Sequence, residues 1–317
     1  MATVAFVFPG QGSQWVGMGA ALAASSPGAS RVFAEADAAL GEPVSRIAWE
    51  GPAEALDLTV NAQPALLATS IAYLAAIGER RDAAGLAPLE PLFVAGHSMG
   101  QYSALVAAGA VSLADAIRLV RERGERMQAS GAGRSGAMAA VIGLDDAQLP
   151  DVVAAGAAHG IITVANRNSP GQVVLSGERP AVEAAMVAAK AAGARRAIEL
   201  PVSVAAHSPL MREAADGMAR TLAGVAFADP HPALIANVDG HTIGSADGAR
   251  AELVEHLTRG VDWVAAVERM RAAGVDTFVE VGPGRVLTGL MKRIAPDATA
   301  LATDDPNAPG GLADPDL

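Results

Sequence analysis

The sequence contains no cysteine. It therefore forms no disulfide, offers no thiolate nucleophile and builds no Cys-ligated metal site, and several enzyme classes fall away. Aromatic residues are scarce, at 3% of 317. With abundant Gly and Ala, this speaks for closely packed helices on a sheet rather than for an aromatic-rich β-sandwich. Basic residues are outnumbered, 23 Lys and Arg against 34 Asp and Glu, and the net charge of −11 argues against a nucleic-acid-binding surface. No stretch reaches the roughly 18 consecutive apolar residues of a membrane span. The opening MATVAFVFPGQGSQ lacks the basic start of a signal peptide. The expectation is a soluble cytoplasmic protein with neither membrane nor nucleic acid as partner.

What is present is an alternation of strand-like and helix-like segments, which indicates an α/β fold. TVAFVF (3–8) reads as a buried strand ending in the turn Pro9-Gly10-Gln11-Gly12. LFVAG (92–96) is a second such strand, followed at once by a helical stretch from Met99 to about 108. Ser112 and Asp115 then open a helix that runs to about 128, and TFVEVGPG (277–284) ends in another Gly-Pro-Gly turn. The middle of the chain follows a β-α-β-β-α-β order, the ferredoxin-like pattern. The expected organisation is a large α/β domain from 1–130 and 201–303 with a small inserted domain at 131–200. The Pro-, Gly- and Asp-rich stretch 304–317 reads as a disordered tail.

The sharpest motif is Gly96-His97-Ser98-Met99-Gly100 between a strand and a helix. In a nucleophile elbow, flanking glycines permit a strained turn that projects the serine hydroxyl, with the next helix N-terminus facing a developing oxyanion. The plain alternative is an ordinary βα turn. A serine nucleophile needs a base, and six histidines are available: 97, 159, 207, 231, 241 and 256. His207 is the best placed, among small residues where the chain returns from the inserted segment. His97 adjoins the nucleophile but points away from it and reads as structural. No Asp or Glu declares itself as a third member, which leaves a backbone carbonyl or an amide to orient the base in a Ser-His dyad.

Arg123 adds a discriminating feature. Leu113, Ala116, Val120 and Met127 form the inward stripe of their helix, and Arg123 falls on the same stripe. A buried guanidinium is costly unless an anion meets it, either a core Asp or Glu or a substrate carboxylate held by Arg's planar fork.

With these residues in hand, the chain resembles the malonyl-CoA:acyl-carrier-protein transacylase family, which includes the acyltransferase domains of polyketide synthases. The landmarks occur in family order: FPGQGSQ (8–14), AQPALL (62–67), GHSMG (96–100), RERGERMQ (121–128), NSPGQVVLSG (168–177), VSVAAH (202–207) and VGPGRVLTGL (281–290). The resemblance implies an α/β-hydrolase-like large domain carrying the ferredoxin-like one. It implies Ser98 as the acylated nucleophile, His207 as its base and Arg123 as the grip on the malonyl carboxylate. Gln11 and Met99 would supply the oxyanion-hole amides, and Gln63 matches an active-site glutamine. The plain reading of Gln63 is a capping residue before Pro64.

Malonyl-CoA and an acyl carrier protein are the implied partners of a monomer without cofactor. Arg167, Lys190, Arg195, Arg196, Arg285, Lys292 and Arg293 are candidates for carrier docking. Met99 after the nucleophile points to malonyl rather than methylmalonyl, and Ala206 before the base is permissive. The alternatives are a trans-acting polyketide acyltransferase using methylmalonyl or a carrier-bound acyl group, an acyl hydrolase, and a non-catalytic carrier-binding scaffold. The chain departs from the family pattern at Gln101, where Glu is usual, at His256, where Gln is usual, and at Gly260, where Pro is common. Trp15 in FPGQGSQW is more like the polyketide enzymes. The family orients its catalytic histidine by the backbone carbonyl at the position of His256, and a carbonyl survives side-chain substitution.

Overall fold

The computed structural model describes residues 2–131, 135–202 and 204–304. Eleven strands lie among them: β1 (Val4–Phe8), β2 (Phe93–Gly96), β3 (Gly136–Ile142), β4 (Ile162–Ser169), β5 (Gln172–Glu178), β6 (Arg196–Glu199), β7 (Ala233–Ile235), β8 (Thr242–Ile243), β9 (Val261–Asp262), β10 (Thr277–Glu280) and β11 (Thr299–Ala302). They form two sheets, ordered β11-β10-β1-β2-β7-β8 and β6-β3-β5-β4-β9. The α/β class and the ferredoxin-like order thus match the sequence reading. The strands anticipated at 3–8, 92–96 and 277–284 are β1, β2 and β10, each trimmed by one or a few residues.

In the six-stranded sheet every pairing is parallel except β7 with β8. β1 is fully buried (Val4–Phe8), as a parallel strand covered on both faces should be. Its register sets Phe8 opposite Gly96 and Val7 opposite Glu280. The turns after β1, β2 and β10 therefore emerge side by side at the carboxyl edge, where open α/β sheets place their ligands. Helix Gly100–Ala107 follows β2 directly. Helix Leu113–Gly131 starts at Ser112, whose hydroxyl accepts from the Asp115 amide and donates to the Asp115 carboxylate.

Helix Thr59–Ala83 was not evident from the sequence. It is long and apolar enough to suit a membrane span, but most of its apolar stretch is buried inside the fold. It is a core helix, and Gln63 and Pro64 lie within its first turns rather than at a cap.

The second sheet has β3, β5 and β4 paired antiparallel, with β6 on the outer side of β3. Helices Leu149–Ala157 and Arg179–Ala191 pack on it through Leu149, Val152, Ala185 and Ala189. Its fifth strand comes from outside the inserted stretch: β9 runs parallel to β4, Asn166 opposite Val261. Gly260 makes that junction possible. It adopts φ 97°, and a Cβ there would meet the Ala165 carbonyl oxygen at 2.6 Å. Proline, with φ held near −65°, cannot take this conformation, so the departure at 260 is a backbone requirement here.

The tail reading needs one correction. Asp304 is held in place, its carboxylate accepting from Tyr73, Trp15 and the Gly284 amide. It ties the turn after β1 to the turn after β10. Residues 305–317, the remainder of the expected tail, lie outside the described residues.

Candidate active site

Ser98 sits at the turn between β2 and helix Gly100–Ala107 with φ 53°, a left-handed conformation unusual for a side chain. Such a residue costs about 1–3 kcal/mol and persists only where its surroundings enforce it. The flanking glycines are sterically required. A Cβ on Gly96 would stand 1.9 Å from the Gly100 carbonyl carbon, and one on Gly100 would stand 2.3 Å from the Phe8 carbonyl oxygen.

Asn237 supplies the enforcement. Its Oδ1 accepts from the Ser98 amide at 2.8 Å and its Nδ2 donates to the Gly96 carbonyl at 2.7 Å. The Asn237 amide in turn donates to Glu252 Oε1 at 2.5 Å. Gln101 completes the frame. Its Oε1 accepts from the Gly96 amide at 2.9 Å, while its Nε2 donates to the Ile235 carbonyl at 3.0 Å and to Glu252 at 3.2 Å. A carboxylate at 101 could not donate to either oxygen. Gln therefore fits because the acid of this network stands at 252 instead.

His207 reaches the serine from the other side. Its Nε2 lies 2.8 Å from Ser98 Oγ, and its Nδ1 lies 2.6 Å from the His256 carbonyl oxygen. A carbonyl only accepts, so Nδ1 carries the proton and Nε2 presents a lone pair to the serine. Burial, followed by the Arg123 cation, lowers the His207 pKa to about 3. The ring is therefore neutral at neutral pH, as a base must be. His207 also has positive φ, 59°, so both partners of the Ser-His pair sit in strained backbone.

Arg123 is 1% exposed, yet it reaches the same hydroxyl. Its Nη2 donates to Ser98 Oγ at 3.0 Å and approaches His256 Nε2 at 3.4 Å, while its Nε has no partner. No carboxylate pairs with it among the described residues, so a core Asp or Glu is not its counter-ion. Gln63 is wholly buried, its Nε2 3.8 Å from Met127 Sδ and its Oε1 unpartnered. Met127 is one turn along the helix from Arg123.

Gln11 is exposed, its side chain donating to Thr59 Oγ1 at 3.3 Å. The turn that carries it lies against the elbow, since a Cβ on Gly10 would meet the His97 carbonyl oxygen at 2.5 Å. Met99 is 1% exposed and Ala206 is buried. His97 turns to Asn168, 2.9 Å from Nε2, away from the serine.

The structure thus brings Ser98, His207 and Arg123 together, with the backbone of His256 behind the His207 ring. Sequence reasoning missed Asn237, Glu252 and Asn168. Each carries an ordinary residue type whose partner is distant in sequence, 139 positions for Asn237 and Ser98.

A serine hydroxyl held between a neutral imidazole and a buried cation can accept an acyl group as an ester and pass it to a second nucleophile. The chain belongs to the acyl transferase domain family, whose model matches residues 5–303. It is 48% identical to the malonyl CoA-acyl carrier protein transacylase of Escherichia coli (strain K12), over 97% of this chain and 98% of that one. It shares its structure with the acyl carrier protein S-malonyltransferase of Vibrio cholerae at TM-score 0.91 and 43% identity, covering 97% and 98% of the two chains. It likewise superposes, at TM-score 0.91 and 44% identity, on a chain from a type II PKS acyl-carrier protein in complex with its malonyl-transacylase, covering 96% of each.

Glu252 offers a test of the elbow frame through pH. Burial raises its pKa to about 7 against the pull of its hydrogen bonds from Asn237 and Gln101. An unfolded Glu titrates near about 4.3. Between these values the folded protein holds a proton that the unfolded chain has released, so stability falls as pH rises from about 4.3 to 7. Glu252→Gln should remove that contribution, and the stability difference between variant and parent should change by up to about 1.4 kcal/mol per pH unit in this window. Urea unfolding at several pH values measures it. A pH-independent difference would place the titration elsewhere.

Proposed function

We propose that this chain moves a malonyl group from CoA to the phosphopantetheine thiol of an acyl carrier protein through an ester on Ser98. The observation that carries this reading is Arg123, a buried guanidinium with no carboxylate partner among the described residues, 3.0 Å from the serine hydroxyl. A general hydrolase has no use for a cation there, whereas a dicarboxylic acyl group has a free carboxylate to fill it.

In the first half-reaction His207 Nε2 takes the Ser98 proton as Oγ attacks the thioester carbonyl. The imidazolium that forms keeps its Nδ1 proton on the His256 carbonyl. The tetrahedral oxyanion is assigned to the backbone amides of Gln11 and Met99, the latter at the start of helix Gly100–Ala107. The intermediate collapses, His207 returns the proton to the departing CoA thiolate, and a malonyl ester remains on Ser98. In the second half-reaction His207 takes the proton of the carrier thiol, which attacks the ester, and then returns a proton to Ser98 Oγ. Arg123 grips the distal carboxylate throughout, and Gln63 sits against Met127, one turn along the helix from Arg123. The scheme calls for no metal or redox cofactor. A monomer in the cytoplasm is the setting we assign to it.

Carrier docking on a local basic surface fits an acidic partner, but not every candidate is equal. Arg167 faces Asp146 and Asp262, both at 3.7 Å, and Arg293 is bonded to Gln172. Lys190 donates to the Arg195 carbonyl at 3.4 Å.

Intact-protein mass spectrometry tests the reading directly. Malonyl-CoA should add one malonyl group to the protein, and holo carrier protein should remove it with matching gain. Rapid loss of the ester to water without carrier protein would indicate the hydrolase. With malonyl- and methylmalonyl-CoA at equal concentration, malonyl should predominate. One methyl group discriminates by only about 1–3 kcal/mol, so a minor methylmalonyl peak is expected. A predominantly methylmalonylated Ser98 would reverse the selectivity assigned from Met99 and make Ala206 the decisive position.

A further inference from the structure

The arginines that share a helix with Arg123 each meet a carboxylate: Arg118 with Asp115, Arg121 with Glu42 and Arg126 with Glu122. Arg123 alone meets neutral acceptors, Ser98 Oγ and His256 Nε2. The form of His256 follows from its other nitrogen. Nδ1 lies 2.9 Å from the Glu252 carbonyl oxygen, which only accepts, so Nδ1 holds the proton and the lone pair of Nε2 faces the guanidinium. Burial and the Arg123 cation hold this ring well below the ordinary histidine range, in keeping with a neutral acceptor.

We propose that the His256 side chain is a positioning residue that fixes the plane of the Arg123 guanidinium, and thereby sets selectivity for malonyl over acetyl thioesters. The inference rests on the reading of Arg123 as the carboxylate grip. A carboxylate at this place would neutralise the cation and compete with substrate. An apolar side chain would leave the guanidinium free to turn about Cδ–Nε, and a two-point grip depends on that angle. The neutral imidazole does neither. It anchors Nη2 without bringing a negative charge that would compete with a substrate carboxylate. The backbone of residue 256 serves His207 and the side chain serves Arg123, so substitutions at 256 separate the two roles.

The experiment exposes the parent enzyme, His256→Leu and His256→Gln to equimolar malonyl-CoA and acetyl-CoA and weighs the Ser98 esters. In His256→Leu the malonyl:acetyl ratio should fall about tenfold, the size of one lost hydrogen bond to a charged group. The fall should come through a raised KM for malonyl-CoA, with a smaller effect on acetyl transfer because the His207–His256 carbonyl bond remains. His256→Gln, which still offers an acceptor oxygen, should keep most of the parent ratio. An unchanged ratio in His256→Leu, or an equal fall in both variants, would overturn the inference. A parent enzyme that takes no malonyl group would instead refute the acyl-transfer reading, and this inference with it. Nitrogen-15 NMR of the parent histidines tests the geometry without relying on a variant's folding. His256 should show a protonated Nδ1 and an unprotonated Nε2 at neutral pH, and a protonated Nε2 would rule out the bond to Arg123.

Discussion

Ser98→Ala should abolish the mass gain produced by malonyl-CoA. The substitution removes one oxygen at a half-buried position and leaves intact the bonds from Asn237 to the Ser98 amide and the Gly96 carbonyl, so the fold should persist. Removal of a nucleophile eliminates the covalent route altogether. Any residual transfer should fall below detection in the same mass spectrum. Far-ultraviolet circular dichroism and thermal unfolding, compared with the parent, separate loss of chemistry from loss of structure. A folded variant that still becomes malonylated would move the nucleophile to another residue and dismantle the Ser98–His207 assignment.

Arg123→Ala should lose malonyl transfer and gain relative acceptance of acetyl groups. A charge-assisted hydrogen bond contributes about 1.5–3 kcal/mol, so the loss in kcat/KM for malonyl-CoA should be at least about tenfold. The variant also removes a donor from Ser98 Oγ and a buried cation that disfavours imidazolium at His207. The pH dependence of acylation should therefore shift upwards, because His207 becomes easier to protonate once the neighbouring cation is gone. Arg123→Lys keeps the charge but not the planar fork, and should recover only part of the activity. Initial rates with malonyl- and acetyl-CoA across pH measure both effects. Unchanged malonyl kinetics in Arg123→Ala would show that the cation is structural.

Much of the site is legible locally. The strand before Ser98 and the helix after it follow from LFVAG and from the apolar run beyond Gly100, and the two glycines mark where backbone must pass backbone. The inward position of Arg123 follows from helical period alone. His207 could be favoured but not chosen on such grounds, since nothing near it in sequence states what its ring touches. The family resemblance selected it. Asn237 and Glu252 had no comparable signal, because their roles exist only once β2, β7 and helix Ala246–Arg259 are assembled.

The departures from the family pattern divide in the same way. The sequence states that Gln101, His256 and Gly260 differ, and states nothing of the consequence. The assembled structure shows Gln101 donating to the Ile235 carbonyl and to Glu252, where a carboxylate could not. It shows Gly260 turning the chain from its helix into β9 at a φ that proline cannot reach. It shows the His256 carbonyl on His207 and the His256 ring on Arg123, two uses of one residue.

Hydrophobic period, turn chemistry and the absence of cysteine are properties of neighbouring residues, so the chain alone is enough to read the α/β class, the inserted ferredoxin-like order and the elbow. Hydrogen bonds between residues more than a hundred positions apart depend on strand order and helix packing. What faces the Arg123 cation and what holds the strained turn were therefore decided only by the tertiary structure.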